Sequence, residues 1–365
     1  MKQSESIGII GGYSTIGRII TDYLVRETGF HLLVAGRNAR LPENRFENPE
    51  RICSVRLDYR SEKELDAFCS ECMLIINAAG PSLIIEDKIA RKALEHNCHY
   101  VDIGGYNALY DKLKPYEEEI KSKGLCYVLG AGWMPGISGL LPLYAIQKAL
   151  SESVEIKHVC LHYGAVEAWS YGSSYDLAAS SKISKFSWYK KDGKEIINSM
   201  NCSRQVYFPE INRKKTCYPL FDDQLEKCAK ELKAESFITY AIMNDFRSTL
   251  AYLAVRTLYK NNPGKAARCI QRDSFRLRQK EGSWGLLKCR IEGTCGGAPA
   301  FREAKLKVTD NFLPSALPSA VAARRIINGE LSPGLDYLCY LTNPESFLKE
   351  LRNRGIEYQY NPVLS

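Results

Sequence analysis

Long apolar runs are missing from this 365-residue chain. The longest, around residues 137–145, contains Pro142 and falls far short of the roughly 20 residues that a membrane-spanning helix needs, so no membrane partner is expected. Lysines and arginines are nowhere interleaved with aromatics in a run. The net charge of +8 is therefore too diffuse for a nucleic-acid surface, and it suits anionic small molecules or an acidic protein partner. No internal repeat and no low-complexity segment is present. Cysteine is not scarce, but the count of 13 is odd, the spacing is irregular, and no secretory segment precedes the first apolar run. Reduced thiols in a cytoplasm are expected. Cys69 and Cys72 form the one close CxxC pair, and without a second pair to complete a zinc site no metal is expected.

What is present is organised around residues 6–38, SIGIIGGYSTIGRIITDYLVRETGFHLLVAGRN. Residues 7–10 form a short apolar run that fits a buried parallel strand. Gly11, Gly12, Tyr13, Ser14, Thr15, Ile16 and Gly17 then open a helix whose apolar positions Ile16, Ile19, Ile20, Tyr23 and Leu24 recur at helical spacing. Counted from Gly12, the turn is G-x-S-x-x-G, a dinucleotide fingerprint with Ser14 where the middle glycine usually stands. Glycines there let the backbone approach a pyrophosphate, and the free amides of the helix start welcome its charge. A tight turn with no ligand is the plainer alternative. A second apolar run over residues 31–35 ends in Gly36, Arg37 and Asn38, where ribose specificity is usually read. An acid is absent there, and Arg37 and Arg40 stand instead. A guanidinium suits a 2′-phosphate that a carboxylate would repel, which predicts NADPH rather than NADH; a solvated loop arginine is the alternative.

The length allows two domains, and the pattern changes at about residue 150. Before it, apolar runs alternate with helical segments: strands over 52–57, 73–77, 100–106 and 126–129, and helices over 62–72, 84–96 and 110–123. Asn77, Ala78, Ala79, Gly80 and Pro81 follow the fourth strand, small residues where bulk would collide with a cofactor. The loop after the sixth strand holds Gly132. This alternation predicts a Rossmann doubly wound parallel sheet over residues 1–150, with ligands at the strand C-termini. Residues 151–311 carry alternating and aromatic runs, over 158–163, 186–189, 203–208, 237–241 and 286–293, broken by helices over 246–259 and 264–269. They predict a second α+β domain for substrate binding and dimerisation, containing a largely antiparallel sheet. The final helices, within residues 312–365, are expected to return to the first domain.

The strings GGYSTIGR, AGRN, NAAGP, HYVDIGGY and GAGWMPGISGLLPLYA, in this order, resemble the NADP-binding domain of the saccharopine dehydrogenase-like reductase family. Fainter similarity follows at residues 172–176, 329–334 and 344–348. The resemblance implies NADPH-dependent reduction of a carbon–nitrogen double bond derived from an amino acid. Members form saccharopine or carboxynorspermidine, and the type B thiazolinyl imine reductases reduce a thiazoline in pyochelin-like siderophore assembly. The last is expected here, because no arginine stands between residues 154 and 187 to hold a doubly charged adduct, whereas Tyr163, Trp169, Tyr171, Tyr175 and Phe186 suit a flat aryl-thiazoline. The substrate is then a small molecule, free or bound to a carrier protein. A sensor that binds NADP(H) without turnover is the rival from another class, and a homodimer is expected.

Hydride addition to such a bond is easier once its nitrogen is protonated, so a donor is needed. Tyr106, just past the fifth strand, is the first candidate, with an ordinary packed aromatic as the alternative. Asp102 would orient Tyr106 or hold a protonated imine, or else cap the turn's amides. His162 in a second-domain strand is the third candidate. His99 stands at the wrong end of its strand and is expected to be structural. Near residues 172–176, Ser173, Ser174 and Asp176 are expected to cap a helix beginning near Tyr175, whose start would alternatively take a substrate carboxylate.

Overall fold

The computed structural model describes residues 6–39, 49–183, 187–197, 202–243 and 245–362, so Arg40 and Phe186 lie outside the described residues. The chain divides into two compact units, Met1–Ile137 with Phe312–Asn343, and Ser138–Asn311 with Pro344–Ser365. Six strands open the first unit: β1 (Ser6–Ile10), β2 (His31–Gly36), β3 (Ile52–Arg56), β4 (Leu74–Asn77), β5 (His99–Asp102) and β6 (Cys126–Leu129). The second unit follows with β7 (Glu155–Val166), β8 (Ser187–Lys190), β9 (Gly193–Ile196), β10 (Arg204–Phe208), β11 (Arg213–Pro219), β12 (Ser236–Met243), β13 (Trp284–Cys295) and β14 (Ala298–Val308). Then β15 (Gly334–Tyr337) returns to the first unit and β16 (Tyr358–Pro362) ends in the second.

The first sheet is parallel throughout, in the order β15-β6-β5-β4-β1-β2-β3. Its central strands are buried at nearly every position, among them Ile7, Ile9, Leu32, Val34, Ile75, Ile76, Val101 and Val128. A parallel sheet covered on both faces requires such unbroken apolar runs, which is why they stood out in the sequence. Strand order reverses between β1 and β4, and a ligand crevice is expected beyond the C-termini of those two strands. The second sheet has nine strands, with β10-β11-β12-β7-β13-β14-β16 in order and β8 and β9 appended beside β12. Among the described residues, only the β7–β12 pair of this sheet is parallel. A Rossmann-type sheet and a second, largely antiparallel one are what the sequence predicted.

Several boundaries differ for physical reasons. The expected helix over 84–96 is two helices, Ser82–Ile85 and Lys88–Glu95, because Glu86 between them takes a left-handed φ of 54°. The helix over 110–123 becomes Asn107–Leu113 and Glu117–Ser122, parted by a 3-10 turn that contains Pro115, which has no amide to continue the ladder. The helix expected over 264–269 runs much further, Pro263–Glu281. Near residue 175 the helix starts a turn early, Tyr171–Ile183, and Ser170 rather than Ser173, Ser174 or Asp176 caps it: its Oγ accepts from the Ser173 amide at 3.1 Å. The domain division differs too. Residues 344–362 belong with the second unit because β16 pairs with β14, and the helix Ile137–Ser151 also lies beyond the boundary, apart from its first residue.

Candidate functional site

The crevice side of the first unit is built by β1 and its turn. Gly11 has a φ of 83°, and a Cβ on it would stand 2.6 Å from the carbonyl carbon and oxygen of Ala78 and from the amide of Ala79. The loops after β1 and β4 can touch only because this residue has no side chain. The Gly11 and Gly12 amides both donate to Ala35 O, at 2.9 and 3.2 Å, tying the turn to β2. Gly17 lets the helix Thr15–Glu27 press onto the turn, since its Cβ would lie 2.5 Å from Gly12 Cα. Ser14 caps this helix, its Oγ accepting from the Gly17 amide at 3.0 Å, and being exposed it keeps its hydroxyl proton for an outside acceptor. The amides of Tyr13, Thr15 and Ile16 find no acceptor among the described residues. Three such donors at the start of a helix suit a pyrophosphate.

Tyr13 secures the turn on its other side. Its hydroxyl donates to Val34 O at 2.9 Å and lies 2.6 Å from Ser54 Oγ, and its ring rests where a Cβ on Gly36 would be. Burial raises the Tyr13 pKa, so the hydroxyl stays protonated and donating. This Tyr13–Ser54 link had no signal in the sequence beyond the tyrosine's place in the turn. Arg37 and Asn38 are exposed just beyond β2, and Arg37 fits a phosphate on the ribose. Ala78, Ala79, Gly80 and Pro81 follow β4, and the Ala78 amide donates to Ile10 O at 2.8 Å beside the turn, while Gly132 closes its own loop through an amide donation to Pro135 O at 3.2 Å.

Asn77 and Asp102 join the ends of β4 and β5. Asn77 Nδ2 donates to Asp102 Oδ2 at 2.9 Å, and Asn77 Oδ1 accepts from the Ala79 amide at 3.1 Å. Asp102 is 2% exposed and also accepts from the Tyr100 hydroxyl at 2.6 Å and from the Gly104 amide at 2.8 Å. Burial raises its pKa, partly offset by these donors. The Tyr100 contribution went unread in the sequence because that side chain is wholly buried. Asp102 and Tyr106 line one pocket with Ser82, Leu83, Glu86 and Lys112, and Lys112 Nζ pairs with Glu86 at 2.6 Å. His99 is structural as expected: its Nδ1 accepts from the Cys126 amide at 3.0 Å.

His162 belongs to the second unit, on β7. Its ring stacks on Tyr240 at 5.1 Å and meets the edge of Phe208 at 5.4 Å, a packed aromatic setting. Burial, with the charges of Lys288 and Arg204, lowers its pKa to about 4. The folded protein holds it neutral while the unfolded chain protonates it below about 6.5, so stability is lost as pH falls through that window. Urea unfolding is expected to show about 2 kcal/mol less stability at pH 5 than at pH 7 from this group, a component that His162→Phe should lack.

Residues 7–128 match the family described as the saccharopine dehydrogenase NADP binding domain. Over 337 residues the chain is 24% identical to carboxyaminopropylagmatine dehydrogenase of Synechocystis sp., covering 80% of this chain and 83% of that protein. A lipid droplet localized protein of Caenorhabditis elegans is 24% identical over 137 residues, which cover 34% of this chain and 32% of that protein's length. Saccharopine dehydrogenase (L-Glu forming) of Saccharomyces cerevisiae shares the fold, with a TM-score of 0.71 over 99% of this chain and 100% of that one at 14% identity. The unpaired amides, the small residues after β4 and the arginine beyond β2 agree with these findings. The match over residues 7–128 is to an NADP-binding domain, and NADPH is the cofactor that the chain takes.

Proposed function

We propose that the protein is an NADPH-dependent reductase of a carbon–nitrogen double bond in an amino-acid Schiff base. The observation that carries this reading is the reach of the similarity to carboxyaminopropylagmatine dehydrogenase, which takes in 80% of this chain and so extends well beyond the nucleotide-binding residues. The expected thiazoline substrate finds no support in the comparisons. In register across β7 and β13, Lys288 stands beside His162 and Arg290 beside Cys160, where Lys288 pairs with Glu210 and Glu303 and Arg290 with Glu292.

NADPH supplies the hydride when bound. The chain's part is to hold the dinucleotide on the amides of Tyr13, Thr15 and Ile16, and to bring a proton to the imine nitrogen. Tyr106 is the group we assign to that proton, because this residue lines a pocket beside the end of β5 that also contains Lys112. Asp102 has its carboxylate filled by internal donors and acts as a positioning residue. The test is NADPH oxidation with lysine, agmatine or a polyamine mixed with 2-oxo acids or with an amino-acid semialdehyde, run beside a hydroxyphenyl-thiazolinyl thioester. Turnover with an open-chain mixture, lowered at least about tenfold by Tyr106→Phe with NADPH affinity unchanged, is the expected result. Turnover with the thiazoline alone would overturn it.

A further inference from the structure

The loop after β3 lies beside the loop that carries Arg37. Gly36 and Arg56 are partners in the β2–β3 register, and the Leu57 amide donates to Gly36 O at 3.0 Å. Asp58 follows directly, so a carboxylate stands next to the place where Arg37 would meet the ribose 2′-phosphate. The Arg37 charge is felt at Asp58, though the larger influence on that carboxyl, held down at about 2, is Arg60. An uncompensated carboxylate there would repel a phosphate dianion and accept hydrogen bonds from a ribose bearing only hydroxyls. It would favour the wrong cofactor.

Arg60 covers that carboxylate. Its Nε lies 2.9 Å from Asp58 Oδ1 and 3.1 Å from Oδ2, its Nη2 lies 2.6 Å from Oδ2, and its amide donates to Oδ1 at 3.1 Å. Both carboxylate oxygens are engaged by one planar fork. The Arg60 side chain is 65% accessible and that of Asp58 29%, so the pair is open to solvent on one side and adds little to stability. An arrangement of this quality with little structural return points to a role toward the neighbouring ligand.

We propose that Arg60 is a specificity-determining mask: by pairing with Asp58 it removes a negative charge from the 2′-phosphate position and so sets the preference for NADPH over NADH, without itself binding the phosphate. The proposal rests on Arg37 marking the phosphate position. It differs from a second phosphate-binding arginine in a way that can be measured, because removing Asp58 should make the mask unnecessary.

The experiment is fluorescence titration of the full chain with NADPH and with NADH, reading the ratio of their Kd values so that effects common to both cofactors cancel. Arg60→Ala is expected to lower the preference for NADPH about tenfold, less at about 0.5 M salt, with the melting temperature unchanged. The double variant Asp58→Asn/Arg60→Ala should recover the wild-type ratio to within about threefold, the Asp58 charge being gone while Glu64, whose Oε2 accepts from the amide of residue 58 at 2.9 Å, is present in every variant. A preference that stays low in the double variant would show Arg60 to be a direct phosphate ligand and overturn the proposal, as would an unchanged ratio in Arg60→Ala. Arg37→Ala is the separate control: if it keeps the wild-type ratio, the phosphate lies elsewhere and the mask falls with that placement.

Discussion

Gly11→Ala is expected to weaken NADPH binding by about a hundredfold or more, because it strikes both the conformation and the packing of the cofactor turn. At a φ of 83° an alanine there costs about 1–2 kcal/mol even in open space. Space is not open: the new methyl would stand 2.6 Å from backbone atoms of Ala78 and Ala79, which cannot rotate aside as a side chain would. The turn must lift away from β4, taking with it the amides of Tyr13, Thr15 and Ile16. Hydrogen bonds to a charged group contribute roughly 1.5–3 kcal/mol each, so misdirecting two of them accounts for the loss. Gly29→Ala is the control, since nothing lies within 4 Å of its added carbon and its φ is not positive. NADPH titration with a parallel melting curve checks the pair. A Gly11→Ala protein binding as tightly as the Gly29→Ala protein would contradict this account of the turn.

Asp102→Ala is expected to cost about 3–5 kcal/mol of stability, the largest effect of any single truncation near the pocket. Its carboxylate receives Asn77 Nδ2, the Tyr100 hydroxyl and the Gly104 amide, and the first two belong to side chains that are 1% and 0% exposed. Removing the acceptor strands these donors where water cannot replace it. The loss should appear as a melting temperature lower by about 10 °C. Asp102→Asn keeps one oxygen and should lose about half as much. Because Asn77 Oδ1 in turn holds the Ala79 amide, the loosened Asn77 is also expected to weaken NADPH binding by a few fold, which a role confined to capping the Gly104 turn would not produce. A melting temperature within a degree or two of wild type for Asp102→Ala would mean that Asp102 does not hold β4 and β5 together.

What the sequence made legible was local. The turn from Gly11 to Gly17 is specified by steric needs within seven residues, and the first sheet by apolar runs that need no partner to be recognised. Features that depend on distant register stayed hidden. β14 hides its buried Ala300, Ala304 and Leu306 among charged residues, and its pairing with β16 moves residues 344–362 into the second unit. Lys288 and Arg290 come beside β7 from more than a hundred residues away, a neighbourhood that the local run of residues does not display. The break at Glu86 has a simpler cause: a glutamate in the left-handed region carries none of the glycine or asparagine signal that marks such a position. Asp58 and Arg60 are only two residues apart, yet their relation to Arg37 follows from the β2–β3 pairing and is invisible without it.

The measurement that bears most directly on the proposed function is the fate of a deuteride from C4 of the nicotinamide. With NADPH labelled there, the purified chain and the amine and 2-oxo acid mixture that oxidises it fastest, mass spectrometry should find one deuterium in a secondary amine, on the carbon that had carried the double bond. Deuterium appearing instead in a 2-hydroxy acid would mean that the chain reduces a carbonyl rather than an imine, and would contradict the proposed function.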